Sequence, residues 1–234
     1  MILCINAIRN PEERRQFDTL VVPRLLTVAP ADFDVVHLVE HPLPDDLAPY
    51  SHLLISGSEL SAAERYPTDD GLLRTIRGFV DASKPVLGIC YGHQMVARAL
   101  LGDAACRRAA VPEFGWKRLR NLQPNPLFDG LDDVVTIHSH YDEVTGLDDR
   151  FEVLASTDDC TVQAFQVRGL PVWGVQFHPE LDHAGGERML RSNLDSEPRA
   201  AALAGNDLDR PEQADANLRM FANFFRAQAV RAVA

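Results

Sequence analysis

Residues 85–94 read PVLGICYGHQ, and the reading of the fold starts there. An apolar run, Val86 to Ile89, leads into Cys90, and a helix-like stretch follows at once. Glycines stand two residues before and two after the cysteine, at Gly88 and Gly92. A sharp strand-to-helix turn needs that spacing, because side chains there would collide across the bend. Such a turn lifts the sulfur clear of a sheet and sets it near a helix N-terminus, where the dipole and free N–H groups favour thiolate. Far downstream, VWGVQFHPEL over residues 172–181 supplies His178 and Glu180. A thiolate, a distant histidine and a carboxylate to orient it make a nucleophile–base–orienter set for covalent acyl chemistry. The plain alternative is a buried structural cysteine, the commoner fate of a free thiol.

Outward from this turn, short apolar strands alternate with helical patterns, the signature of a parallel sheet wrapped by helices. Candidate strands are Ile2–Ile5, Asp34–Leu38, His52–Ser56 and Val86–Ile89. Asn10 and Pro11 read as a cap and first helical position, and Pro23 is expected to kink or end that helix. Asp69 to Ser83 is the clearest helix, with Leu72, Leu73, Ile76, Phe79 and Val80 on one face. Helix Tyr91–Leu101 should end at Gly102. Beyond it the pattern changes to strands joined by turns: Lys117–Leu122, Val134–Ile137, Phe151–Ala155, Val162–Gln166 and Val172–Phe177, some of them antiparallel. Leu194 to Gln213 lacks strong periodicity and reads as a loop, or a short helix and linker. Asp215 to Val230 carries Leu218, Phe221, Phe224 and Phe225 at helical spacing, a stripe expected to dock on the core.

Composition narrows the field. A chain of 234 residues with 46% hydrophobic content can bury one substantial core. No apolar run approaches the roughly 20 residues that span a bilayer, and the opening MILCINAIRN reads as a buried strand rather than a signal peptide. The net charge of −11 argues against nucleic acid. The four cysteines are scattered without metal-ligand spacing, which points to a reducing cytoplasm.

GICYGHQ together with FHPE resembles the class I glutamine amidotransferase family, whose pattern is G-x-C-x-G-x-Q followed by H-P-E. The resemblance spans about residues 50 to 185, and LLISGSELS, HSHYDEV and VLASTDDCTVQAF are similar to the stand-alone GMP-synthase-like amidotransferases and γ-glutamyl peptidases. It implies a three-layer, flavodoxin-like α/β fold: a mixed, mainly parallel sheet with helices on both faces. Residues 1–193 would form the catalytic domain, and residues 194–234 a C-terminal extension of loop plus helix packed on it. Cys90, His178 and Glu180 would be the catalytic triad. The oxyanion hole would use the backbone N–H of Tyr91, after the nucleophile, and that of Ser58. Family members carry S-G-G-P where this chain has Ser56-Gly57-Ser58-Glu59, so the Ser58 donor requires a φ open to a residue with a Cβ, with Gly57 giving the loop its freedom. Gln94 lies one helical turn beyond Cys90 and resembles the amide that contacts bound glutamine. Ser139, His140 and Tyr141 align with the loop whose backbone holds the substrate's α-amino and α-carboxylate groups. In this reading Glu180 shares a side with His178 through strand alternation. His93 and His138 neighbour the motifs without an assigned role. No cofactor or metal is implied.

Two functions follow. One is a stand-alone hydrolase that cleaves glutamine, or a γ-glutamyl amide or peptide, through a γ-glutamyl thioester. The other is a glutaminase subunit passing ammonia to a separate synthetase. The chain has no GxxxxGK[ST] loop with which to activate an acceptor itself. A non-catalytic module on the same fold would be expected to lack part of the triad, and a thiol-stress protein of related architecture would lack His-Pro-Glu.

Overall fold

Alternation along the first strands decides which helices cover which face. The computed structural model describes residues 1–28, 32–197 and 199–229. In β1 (Ile2–Asn6), Leu3 and Ile5 point into one apolar cluster and Cys4 into another. In β3 (His52–Ile55), Leu53 and Ile55 join the first and Leu54 the second. The first cluster is closed by α3 (Asp69–Asp81) and α4 (Tyr91–Leu101) through Leu72, Ile76, Phe79 and Met95. The second is closed by Phe17, Val21 and Leu25 on one side of the chain's opening helices and by Phe221 and Phe224 near the C-terminus. A sheet buried on both faces between helices is the three-layer α/β arrangement.

The main sheet has seven strands in the order β2-β1-β3-β4-β9-β8-β7. The added members are β2 (Phe33–His37), β4 (Val86–Ile89), β7 (Phe151–Ala155), β8 (Ala164–Val167) and β9 (Val172–Val175). β2, β1, β3, β4 and β9 are parallel, and β8 and β7 close the edge antiparallel. The chain leaves β1 to one side for β2 and returns on the other for β3. Ligands collect at such a switch point, outside the carboxyl ends of the strands.

Several elements depart from the expected pattern. Pro23 does not end its helical run. After α1 (Pro11–Gln16) the chain makes a π turn over Phe17–Val21, closed by the Val22 N–H to the Phe17 oxygen, and α2 (Val22–Leu26) resumes with Pro23, so the wider turn takes the ring in without ending the run. Of the expected strand Lys117–Leu122 only Lys117 and Arg118 are strand, the last residues of a longer one, β5 (Cys106–Arg118). Its first half, Arg107 to Val111, is mostly exposed and is interrupted by a register shift between Arg108 and Glu113, which hides the alternation. Asn121, at φ +53°, then turns the chain away. β6 (Val135–Val144) likewise runs straight through Ser139–Tyr141, so the expected loop is strand. β5 and β6 lie outside the main sheet, in a three-stranded sheet ordered β10-β5-β6.

Residues 194–213 are also ordered differently from a loop. The helix α5 (His183–Ser196) runs across position 193, and α6 (Ala200–Leu203) and β10 (Ala204–Asn206) follow. β10 pairs parallel with β5 at a point where Gly115 has φ +80° and a Cβ would lie 2.4 Å from the Gly205 oxygen. α7 (Glu212–Ala216) then leads to α8 (Leu218–Arg226), whose Met220, Phe221 and Phe224 are fully buried in the second cluster. Val230, the expected end of the last helix, lies outside the described residues.

Candidate active site

Cys90 sits where β4 becomes α4, with φ +50° and ψ −103°, a backbone conformation that few residues with a side chain adopt. Both flanking glycines are sterically required. A Cβ at Gly88 would lie 2.3 Å from the Gly92 oxygen, and one at Gly92 would lie 2.6 Å from the Ile55 oxygen. The bend is pinned to β9 by the Cys90 N–H, which donates to the Val175 oxygen at 2.8 Å. Cys4, Cys106 and Cys160 are buried elsewhere. Burial pushes the Cys106 and Cys160 thiols up to about 12 and Cys4 higher still, so these three stay protonated.

His178 arrives just past the end of β9, held by its N–H to the Ile137 oxygen of β6 at 3.0 Å. Its ring and Cys90 meet over Gly57 in one cleft, and its Nδ1 meets Glu180 Oε1 at 2.8 Å. Glu180 reaches it through a turn at Pro179 rather than through strand alternation, since β9 has already ended at Val175. Burial opposes charge on His178, but Glu180, together with the hydrogen bond and charge of Cys90, outweighs it and raises the imidazole to about 10. A cationic imidazole between a carboxylate and a sulfur stabilises thiolate and holds a proton ready for a leaving group.

Gly57 has no left-handed backbone to serve. Its role is contact, because a Cβ there would lie 2.8 Å from His178 Cε1 and 3.5 Å from Cys90 Cβ. Ser58 also keeps φ out of the left-handed region, so a side chain is tolerated there. Among the described residues, neither the Ser58 nor the Tyr91 N–H has a protein acceptor, which leaves both free for an oxyanion. Glu59, in the place of proline, accepts the N–H groups of Arg9 and Asn10 at 2.9 and 2.8 Å and ties the loop after β3 to the loop after β1. The Tyr91 side chain points the other way, to Asp69.

Gln94 faces the cysteine side as expected, but its amide nitrogen is already shared between the Asp142 oxygen and Gln176 Oε1, both at 3.0 Å. Gln176 is fully buried, and its own amide lies 3.6 Å from Cys90 Sγ. Sequence reasoning passed over this residue, although it stands two before His178 in VQFHPE. Ser139, His140 and Tyr141 all line the cleft. Ser139 presents its oxygen 3.8 Å from Cys90 Sγ and its hydroxyl to Asn193. Both His140 nitrogens are engaged, Nδ1 with the Asp142 oxygen at 3.1 Å and Nε2 with Glu113 Oε2 at 3.0 Å. Its imidazole is therefore not open to a ligand. Glu113 is buried, yet His140, His138 and Lys117 hold its carboxyl well below the usual range. The donors of Glu113, His140 and Cys160 lie close enough to gather a metal, but Lys117, Thr157 and Gln163 already bond to that carboxylate. His93 packs on Phe165 and His138 bonds Thr136, and burial lowers both to about 3, so they are neutral core residues.

These groups floor a cleft of 630 Å³, bordered by the π turn after α1 on one side and α5 on the other. No helix among the described residues is long and apolar enough to cross a membrane.

A family model for class I glutamine amidotransferases matches residues 22–195. A GMP synthase [glutamine-hydrolyzing] from a Parafrankia species is 42% identical over 126 residues, 53% of this chain and 23% of that protein. A glutamine-hydrolyzing GMP synthase subunit from Pyrococcus furiosus is 36% identical over 121 residues, 51% of this chain and 63% of that protein. The matches thus span less than two thirds of these relatives. A crystal structure of a glutamine amidotransferase from Methylobacillus flagellatus superposes with a TM-score of 0.73 at 19% identity, covering 100% of this chain and 98% of that one. At that identity the likeness is one of fold.

Proposed function

Because this chain belongs to the class I glutamine amidotransferase family, we propose that it hydrolyses the γ-amide of glutamine or of a γ-glutamyl amide, with Cys90, His178 and Glu180 as its catalytic residues. The observation that carries the reading is a cysteine on a strained bend facing a histidine that Glu180 holds at 2.8 Å, all in one cleft. The Cys90 thiolate attacks the amide carbonyl, and the oxyanion takes the N–H groups of Ser58 and Tyr91. His178 gives its proton to the nitrogen, the C–N bond breaks, and ammonia or an amine departs, leaving a thioester. Neutral His178 then draws a proton from water, whose hydroxide opens the thioester and frees the acid and the thiolate. Gly57, Gln94, Ser139, His140 and Tyr141 shape the γ-glutamyl site. Since the His140 ring is occupied, His140 contributes through its main chain.

The test is turnover of glutamine and γ-glutamyl amides by the chain alone, with intact mass to capture a γ-glutamyl adduct. Wild-type protein should release ammonia or amine and carry the adduct. Cys90→Ala should keep its melting temperature, show no adduct and lose on the order of 10³-fold or more in rate. Comparable turnover in Cys90→Ala would refute the assignment. The second reading, an ammonia-supplying subunit for a separate synthetase, draws on the relatives named as glutamine-hydrolyzing GMP synthase subunits. It requires activity that appears only when such a partner is added.

A further inference from the structure

A γ-glutamyl group seated on Cys90 must turn its amide nitrogen toward His178, because His178 supplies the proton. Whatever that nitrogen carries therefore lies over the His178–Glu180 end of the cleft. That end is apolar. Phe17 and Val21, from the π turn, pack in the same cluster as Cys90 and Phe177, and Leu181, next to Glu180, packs against it. Met189 of α5 lines the facing wall, and Leu20 lies at the mouth with 52% of its surface in solvent. The opposite end carries Gln94, Ser61, Tyr141 and Asp142, with the Arg108 guanidinium 4.5 Å from the centre of the Tyr141 ring.

Ammonia needs no apolar wall, and glutamine alone needs little of 630 Å³, a volume in the range of pockets that enclose a drug-sized ligand (about 300–1,000 Å³). We propose that the preferred substrate is a γ-glutamyl amide whose nitrogen bears an apolar alkyl or aryl group, held by Phe17, Leu20, Val21, Leu181 and Met189. The proposal rests on the hydrolase reading above. The chemistry is unchanged: the sulfur–carbon bond forms, the carbon–nitrogen bond breaks, the His178 proton leaves on the amine, and water regenerates the thiolate. The products are glutamate and a primary apolar amine.

An N-alkyl series tests the proposal, with γ-glutamyl methylamide, propylamide and pentylamide assayed beside glutamine. The leaving amines differ little in basicity, so a trend in kcat/KM reports the subsite. The expected result is a rise of at least about tenfold from methyl to pentyl, a lower bound because one methylene in an apolar pocket is commonly worth about tenfold and the series adds four. Leu20→Asp, at an exposed position that tolerates charge, should flatten the rise, as should Met189→Gln. A flat series in wild type, with glutamine and the methylamide still cleaved, overturns the proposal and leaves the hydrolase reading standing. A rise that both variants retain overturns the assigned subsite. No turnover of any member and no adduct on Cys90 overturns both readings.

Discussion

At the scale of single residues, the space around His178 is as specific as its partners. Gly57 leaves room for the imidazole and nothing more, since a methyl group there would lie 2.8 Å from Cε1. Gly57→Ala should displace the ring without unfolding the chain. A shift of about 1 Å at a reacting group can cost on the order of 10²-fold in rate. We expect kcat to fall by that order while the melting temperature moves by only a few degrees, measured by steady-state assay and thermal melt. Gln176 makes a second case. Its amide N–H is aimed at the sulfur and is fixed in orientation by Gln94, which donates to its oxygen. Gln176→Leu should change the rate at which iodoacetamide alkylates Cys90 by about threefold or more, because the sulfur loses the donor at 3.6 Å. An unchanged alkylation rate would reduce Gln176 to a packing residue. That Cys90, His178 and Glu180 meet in one cleft was legible because the glycines and the His-Pro-Glu string are local in sequence. Gln176 and Glu113 were not, because an amide or carboxylate declares its role only through partners many positions away. Gly57 was legible as a necessary glycine for the wrong reason: the demand comes from a contact across the cleft, not from its backbone.

Among elements, α5 is the one whose placement sets the cleft's width. Gly186 lets it lie against Trp116 of β5, where a Cβ would come within 2.3 Å of the indole. From that seat α5 presents Met189 and Asn193 to the cleft, Asn193 accepting from the Ser139 hydroxyl at 3.1 Å. Gly186→Val should push the helix outward. KM for γ-glutamyl substrates should rise several-fold while kcat changes less, because the proposed triad is carried by β4 and by the segment just past β9. Equal losses in both would show that α5 acts on the chemistry itself. The strands flanking Cys90 were readable from sequence as short apolar runs bounded by turns. β5 was only half readable, since its exposed first stretch, bulged before Glu113, shows neither alternation nor burial. β10, three residues long, has no period to find, and its pairing depends on two glycines at contact, Gly115 and Gly205.

For the whole molecule, buried histidines set opposite limits on stability. His93 and His138 are held neutral by burial, down to about 3 against 6.5 in the unfolded chain. The unfolded state therefore binds more protons below 6.5, and stability falls as pH drops from 6.5 toward 3. His178 is raised to about 10, so its contribution is complete below 6.5 and is lost as pH climbs through 10. Thermal melts across pH should show a maximum between these limits, and His93→Leu should flatten the acid side. An acid limb unchanged in that variant would assign the loss to other groups. The three-layer plan was legible because alternation in β1 and β3 divides the core into two faces. The second sheet was not, because which strands stay out of the main sheet is decided by long-range pairing. One consequence concerns synthesis. β10 fastens onto the small sheet, and α8 then wedges its phenylalanines beneath the large one. A nascent chain emerging from the ribosome thus exposes an open apolar seam until residues 204–226 clear the tunnel, and only then are the two halves bolted together.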